Sequence, residues 1–395
     1  MFLDLLIALV ALGTGATIFS KRLRFSTTWR AMITPLASII GSGFLVLGPI
    51  LDHGFGGFAP LVMAGLCLVA WGFGASIRHN IATIDATGAG SGTTTPEITA
   101  SALLGFAFTI SVAYYLNLFG AFALSLTPFA TDLNARILTT LVYAVILFTG
   151  WTRGFAMLER MEYATVTLKL AIIAGLLFGL AAFNIDAIRL GEFHVGEPTV
   201  SGWGALTLTF GLIVTVQGFE TSRYLGSEYD AVTRIRSMRW AQMLSSAIYL
   251  VYIALVAYVF APDAMDLNET AIVDLMAIVS PILPALLVAA ALAAQFSAAV
   301  ADTGGSGGLI EELTHGRIGT RQAYALTVAI GLALTWTSDV FQIIAYASRA
   351  FAAYYAVQAG IAAWSARANS PARALLFASL AFLGVMIALF GQSIE

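Results

Sequence analysis

The chain has 395 residues, 59% hydrophobic and 10% charged, with a formal net charge of −3. A soluble globular domain carries about 25% charged residues, so the composition excludes a soluble enzyme and points to an all-α polytopic membrane protein. The charge balance suggests no nucleic-acid partner, which leaves the lipid bilayer and a small molecule. The single cysteine, Cys67, allows no intrachain disulfide, and no cluster of metal-ligand type stands out.

A membrane-spanning helix takes about 20 apolar residues. Taken in chain order, 2–20, 31–52, 58–81, 100–127, 138–151, 163–183, 203–224, 243–260, 276–299, 323–336, 343–364 and 374–390 give twelve spans. The first is followed, not preceded, by a basic cluster (Lys21, Arg22, Arg24), so it reads as a retained helix with its N-terminus outside. The second carries Ile40-Gly41-Ser42-Gly43-Phe44 near its middle, and the seventh carries Val216-Gln217-Gly218-Phe219-Glu220. Glycine weakens a helix, and a broken backbone inside lipid is tolerated only where protein or a water-filled cavity satisfies it. Two broken helices at matching places in two halves of a chain are a pointer to a transporter's binding site.

The fourth span holds Tyr114, Tyr115 and Asn117, which are candidates to line a cavity, and the sixth holds Lys169. In the seventh, Arg223 follows Glu220 by three residues, so both would lie on one face of a resumed helix. Such a buried pair would be structural, a gate, or part of the substrate site. The ninth span contains Ser297 and runs into Ala301-Asp302-Thr303-Gly304-Gly305-Ser306-Gly307-Gly308. Its glycines read as an unwound inner end, with Asp302 facing an inner-loop arginine or taking up a proton. The eleventh holds Arg349, and Tyr354 and Tyr355 as gate candidates.

The loops test the topology. One alternate set carries Lys21, Arg22, Arg24, Arg30, Arg78, Arg153, Arg160, Arg234, Arg236, Arg239, Arg317, Arg321, Arg367 and Arg373, while the other holds only Arg136 and Arg189. By the positive-inside rule the first set faces the cytoplasm, which puts both termini outside, in a cell (inner) membrane. Segment 1–24 is then an accessory helix, 31–185 and 203–366 are two sets of five, and 374–395 is a second accessory helix. Five is odd, so the second set is inserted upside down relative to the first. Lys169 lies 126 residues after Gly43, and Arg349 lies 131 after Gly218. Each is a cation early in the fifth helix of its set. Ionisable groups there are functional candidates, unless they snorkel to an interface.

Ile39-Ile40-Gly41-Ser42-Gly43-Phe44-Leu45-Val46-Leu47-Gly48-Pro49 resembles the first core helix of the amino acid–polyamine–organocation (APC) transporter superfamily. Gly218-Phe219-Glu220 resembles the break in its sixth core helix, and Thr167-Leu168-Lys169-Leu170 its fifth-helix lysine in sodium-independent members. The resemblance implies a LeuT-type fold of two inverted five-helix repeats with broken first and sixth core helices. It implies a substrate carboxylate on the N–H groups of Ser42, Gly43 and Phe44, beside Ile40 and Gly41. The amino group would face carbonyls near Gly218, under a Phe219 lid, with Tyr114 close by. Lys169 would replace a sodium site and bridge 39–41 to Ser297. Arg223, the 301–308 stretch and the loop after Leu225 depart from the family pattern.

The reading is a secondary transporter of a small amino acid or related carboxylate, with a proton as coupling ion through Lys169 or Glu220 and no further cofactor. Other substrates on the same fold are one alternative, and a non-transporting sensor or subunit is another. No enzyme motif is present: His53, His79, His194 and His315 form no metalloprotease pattern. Substrate identity and oligomeric state are not legible in the sequence.

Overall fold

The computed structural model describes residues 2–41, 43–87, 94–152, 162–226, 228–260 and 268–394. Ser42, residues 88–93, Arg153 and Arg160 lie outside the described residues. Within them, every regular element is a helix. In chain order these are α1 (Phe2–Ile18), α2 (Lys21–Arg24), α3 (Thr27–Ile39), α4 (Gly43–Phe55), α5 (Ala59–Thr87), α6 (Thr95–Leu124), α7 (Asp132–Thr152) and α8 (Glu162–Leu190). There follow α9 (Gly202–Gly211), a 3-10 turn (Ile213–Val216), α10 (Thr221–Tyr224), α11 (Ala231–Val256), α12 (Ala271–Val279) and α13 (Leu283–Leu313). The chain closes with α14 (Thr320–Thr337), α15 (Val340–Ala366) and α16 (Pro371–Phe390).

Local chemistry sets several of these boundaries. Ser26 caps α3 by accepting from the Trp29 N–H at 3.3 Å. Asp339 and Gln342 form a reciprocal capping box at the start of α15. Proline stands in the first turn of α6, α13 and α16, where its missing N–H costs nothing. Asp230, outside the membrane-spanning segments, caps α11 by accepting from the Thr233 N–H at 2.7 Å, and that bond holds its carboxyl below the ordinary carboxylate range.

Seven stretches of described residues are long and apolar enough to cross a membrane: Gly43–Asp85, Thr95–Leu124, Asp132–Thr152, Glu162–Leu190, Ala231–Val256, Leu283–Leu313 and Pro371–Phe390. The chain is therefore an all-helical, multi-pass membrane protein. The two broken segments divide into pieces too short to span alone, with 13 residues in α3 and 10 in α9. At the centre, α6 packs along α13 and α15, while α11 packs on α3 and α5. The helices α1 and α16 lie outside this group, on α8 and α15 respectively. Small residues set the α15–α16 contact, where a Cβ built on Gly384 would lie 2.9 Å from Ala356 Cβ.

Three sequence expectations are corrected here. The stretch 301–308 is helical, not unwound, because α13 runs unbroken to Leu313. Its glycines serve close approach instead: a Cβ on Gly305 would lie 3.1 Å from Phe108, and one on Gly307 2.3 Å from Tyr324. The ninth span does not start at Met276 as one helix, since Ser280 is extended and separates α12 from α13. Arg78 is not a loop residue. It is buried in α5, bonded to Gln242 and 4.6 Å over the Trp71 ring.

Candidate functional site

The two breaks lie against each other in the interior. Helix α3 ends at Ile39, Ile40 turns out of the helical region at φ −86° and ψ 60°, and α4 starts at Gly43. In the second break Gln217 is extended at ψ 177° and Gly218 has φ +115°. Only glycine adopts that φ without strain. A Cβ on Gly218 would lie 2.5 Å from Ser38 Cβ and 2.6 Å from Ile39 N, so the second break rests directly on the end of α3. A Cβ on Gly43 would lie 2.9 Å from Thr215 Cα. Gly43 is thus also the point where α4 meets the 3-10 turn.

A helix end leaves backbone groups unpaired, and in a dry interior each needs a partner. The structure supplies these from three helices and from the second break itself. Buried Lys169 of α8 donates from Nζ to the Ala37 carbonyl at 2.9 Å. Buried Tyr249 of α11 lies 2.9 Å from the Ile39 carbonyl and 2.6 Å from the Thr215 carbonyl, so one hydroxyl faces both breaks. Ser348 of α15 donates to the Gly211 carbonyl at 2.6 Å and accepts from the Val214 N–H at 3.0 Å. Glu220 folds back so that Oε2 accepts from the Gly218 N–H at 2.9 Å and from Tyr355 at 2.7 Å.

Aromatic rings wall this crossing. Phe219 stacks on Tyr355 at 5.2 Å between centroids, and Phe73 stacks on the same ring at 5.0 Å. Phe44 contacts Tyr249 at 5.5 Å and Tyr252 at 4.3 Å. The Tyr114 hydroxyl reaches the first break, 3.0 Å from where a Cβ on Gly43 would stand. A cavity of about 20 Å³ beside Lys169, lined by Gly41, Phe44, Leu45 and alanines of α13, has room for one water.

Four of the expected side-chain placements are corrected. Lys169 does not snorkel and does not reach Ser297. It reaches the carbonyl of Ala37, two residues before the 39–41 stretch, and Ser297 makes no hydrogen bond among the described residues. Glu220 and Arg223 do not pair with each other. The helix resumes for only four residues, so Glu220 stays on Gly218 while Arg223 crosses to α6 and forms an ion pair with Glu97. Arg349 is not buried. It is exposed on α15, and its Nε donates to the Ala388 carbonyl at 2.8 Å. Among the described residues Asp302 meets no arginine: it is buried against Ser111 of α6. Asn117, a cavity candidate, is occupied with Thr335 of α14 at 2.8 Å. Ser42 lies outside the described residues.

A second polar network surrounds Arg223. Arg223 also donates to Gln358 Oε1 at 2.8 Å, Asn80 donates to the same atom at 2.8 Å, and Arg234 donates to the Arg223 carbonyl at 2.8 Å. This network ties α5, α6, α10, α11 and α15 together. Sequence reasoning missed Tyr249, Ser348, Glu97 and Gln358. The available signal was a polar side chain within an apolar helix, which Gln358 and Ser348 satisfy.

Tyr249→Phe keeps the ring but removes the single hydroxyl proton that two buried carbonyls share. The expected cost is about 1–3 kcal/mol of stability, read as a lowered midpoint in thermal unfolding of the purified protein. An unchanged midpoint contradicts the assignment of Tyr249 as the shared partner of both breaks.

A family model described as an APC superfamily transporter matches residues 21–391. An uncharacterized protein of Aquifex aeolicus (strain VF5) is 40% identical over 379 residues, covering 93% of this chain and 91% of its own length.

Proposed function

The chain belongs to the APC superfamily of transporters, and from that premise we propose that it moves a small amino acid or related carboxylate by alternating access. The observation that carries this reading is the contact between the two breaks, cross-linked by Tyr249 and capped by Lys169 and Ser348. The substrate carboxylate binds the N-terminal N–H groups of α4, where the helix dipole favours an anion. The amino group lies toward the backbone around Gly218, with Phe219 as the lid. In the described conformation α4 and the 3-10 turn touch at Gly43, so the site is closed and must open to admit substrate.

The repeat assignment is part of the same proposal. Helices α3 to α8 form one set and α9 to α15 the inverted second set. Support comes from the matched ties: α8 holds the end of α3 through Lys169, and α15 holds the end of α9 through Ser348. Ser348, not Arg349, is then the counterpart of Lys169. Twelve spans, termini outside and insertion in the inner membrane follow from the loop charges.

Coupling is to protons and independent of sodium. Lys169 occupies the place a cation would take and, while protonated, holds Ala37 by a charge-assisted hydrogen bond. A buried charge is expensive, so a path to inner-side water lets the ammonium release a proton, and the neutral amine left behind holds Ala37 by a weaker, uncharged hydrogen bond, which loosens α3. Lys169→Ala is expected to lose gradient-driven accumulation while retaining exchange of substrate across proteoliposomes. Equal accumulation in variant and wild type removes Lys169 from coupling.

A second reading has one observation in its favour. Among the described residues Glu220 Oε1 is buried with no hydrogen-bond partner, and the nearby arginine is engaged with Glu97. An organic cation would satisfy that oxygen. Competition of uptake by amines that lack a carboxylate supports this reading, and competition by amino acids alone supports the first.

A further inference from the structure

The proposed cycle uses Lys169, and the second reading uses Glu220, but one buried acid is left without a role. Asp302 lies on α13, 6% exposed, and its Oδ2 meets Ser111 Oγ of α6. The same Ser111 Oγ lies 2.9 Å from the Phe108 carbonyl, one turn back on its own helix. A hydroxyl carries one proton and two acceptor positions. If Asp302 is a carboxylate, that single proton has two acceptors to serve, and one contact becomes an oxygen–oxygen approach with no hydrogen between. If Asp302 is a carboxylic acid, it donates to Ser111, and Ser111 donates to Phe108. Both contacts of Ser111 Oγ are then hydrogen bonds.

The charges around Asp302 agree. It forms no ion pair among the described residues. The titratable groups acting on it are Tyr115 of α6 and Glu220 of the second break, and neither supplies a positive charge. Helix α8 brings its lysine to Ala37. Helix α14 brings Tyr324 against Gly307, more than one turn further along α13. An unpaired buried carboxylate is costly, and adding a proton removes that cost.

We propose that Asp302 is a proton-binding site, distinct from Lys169, that is loaded in the closed conformation. Opening toward the inner side separates α13 from α6 and admits water. The Oδ2–H bond then breaks with its electron pair left on the carboxylate, and the proton passes to that water. The contribution to coupling rests on the transport reading above, whereas the loaded state does not.

The test uses infrared spectroscopy on the purified full chain in lipid nanodiscs at neutral pH, with no substrate added. The wild type shows a carboxylic acid carbonyl band that Asp302→Asn lacks. Ser111→Ala moves that band, because the acid loses its acceptor, while Glu220→Gln leaves it in place. A spectrum that Asp302→Asn does not change overturns the proposal. Asparagine fits the same space, and Ser111→Ala gives a second reading should Asp302→Asn not fold. Uptake of a labelled amino-acid mixture forms the second arm. Asp302→Asn should still exchange substrate but fall to the level seen without a proton gradient. A band lost with gradient-driven uptake unchanged overturns the coupling role alone. A loaded site in a protein that moves no amino acid would count against the substrate reading and leave the proton site standing.

Discussion

Gly218→Ala is expected to abolish uptake and to lower stability by about 3 kcal/mol or more, from backbone strain and a backbone clash together. Gly218 has φ +115°, a conformation that costs a non-glycine residue about 1–3 kcal/mol. The added Cβ would also stand 2.4 Å from Ser38 Oγ and 2.6 Å from Ile39 N. The serine side chain can turn away, but a backbone nitrogen cannot. The segment from Gln217 to Glu220 would have to lift off α3, drawing Glu220 away from Tyr355 and Thr215 away from the Tyr249 hydroxyl. Thermal unfolding of the purified variant measures the loss. Gly13→Ala is the control, since nothing lies within 4 Å of a Cβ there. A Gly218→Ala protein that melts with the wild type contradicts the described contact between the breaks.

The second large effect falls on Arg223. Its guanidinium pairs with Glu97 and reaches Gln358, all within buried surroundings. Removing one partner of a buried pair leaves the other charge uncompensated, at about 3–5 kcal/mol. Arg223→Ala should therefore unfold at much lower temperature. Adding Glu97→Gln removes the stranded charge and should return most of the loss, so the two substitutions are not additive. The double variant also separates two roles. As an inner gate, Arg223 holds α10 to α6 and α15, and the stable double variant leaks substrate down its gradient. As a structural pair alone, the double variant transports as the wild type does.

The breaks were legible because glycine inside an apolar helix is a strong local signal, and Lys169 was legible because charge in a span is rare. Their partners were not. The Lys169–Ala37 and Arg223–Glu97 contacts each join residues more than 100 positions apart, which no periodicity reveals. Arg349 shows how a near miss arises. One residue along a helix turns the side chain by about 100°, so Ser348 faces the second break while Arg349 faces outward. The expected Glu220–Arg223 pair assumed a continuous helix, yet the same glycine that announced the break also cancels the three-residue rule. The 301–308 glycines were read as unwinding, but in helix–helix contacts glycine more often lets neighbours approach, and here Phe108 and Tyr324 fill that space.

The most direct test of the account is uptake of a labelled amino-acid mixture into proteoliposomes under an inward proton gradient or an inward sodium gradient. The account predicts accumulation with the proton gradient, none with sodium, and loss of the proton response in Lys169→Ala. Accumulation that requires sodium, or proton-driven uptake that Lys169→Ala leaves intact, would contradict it.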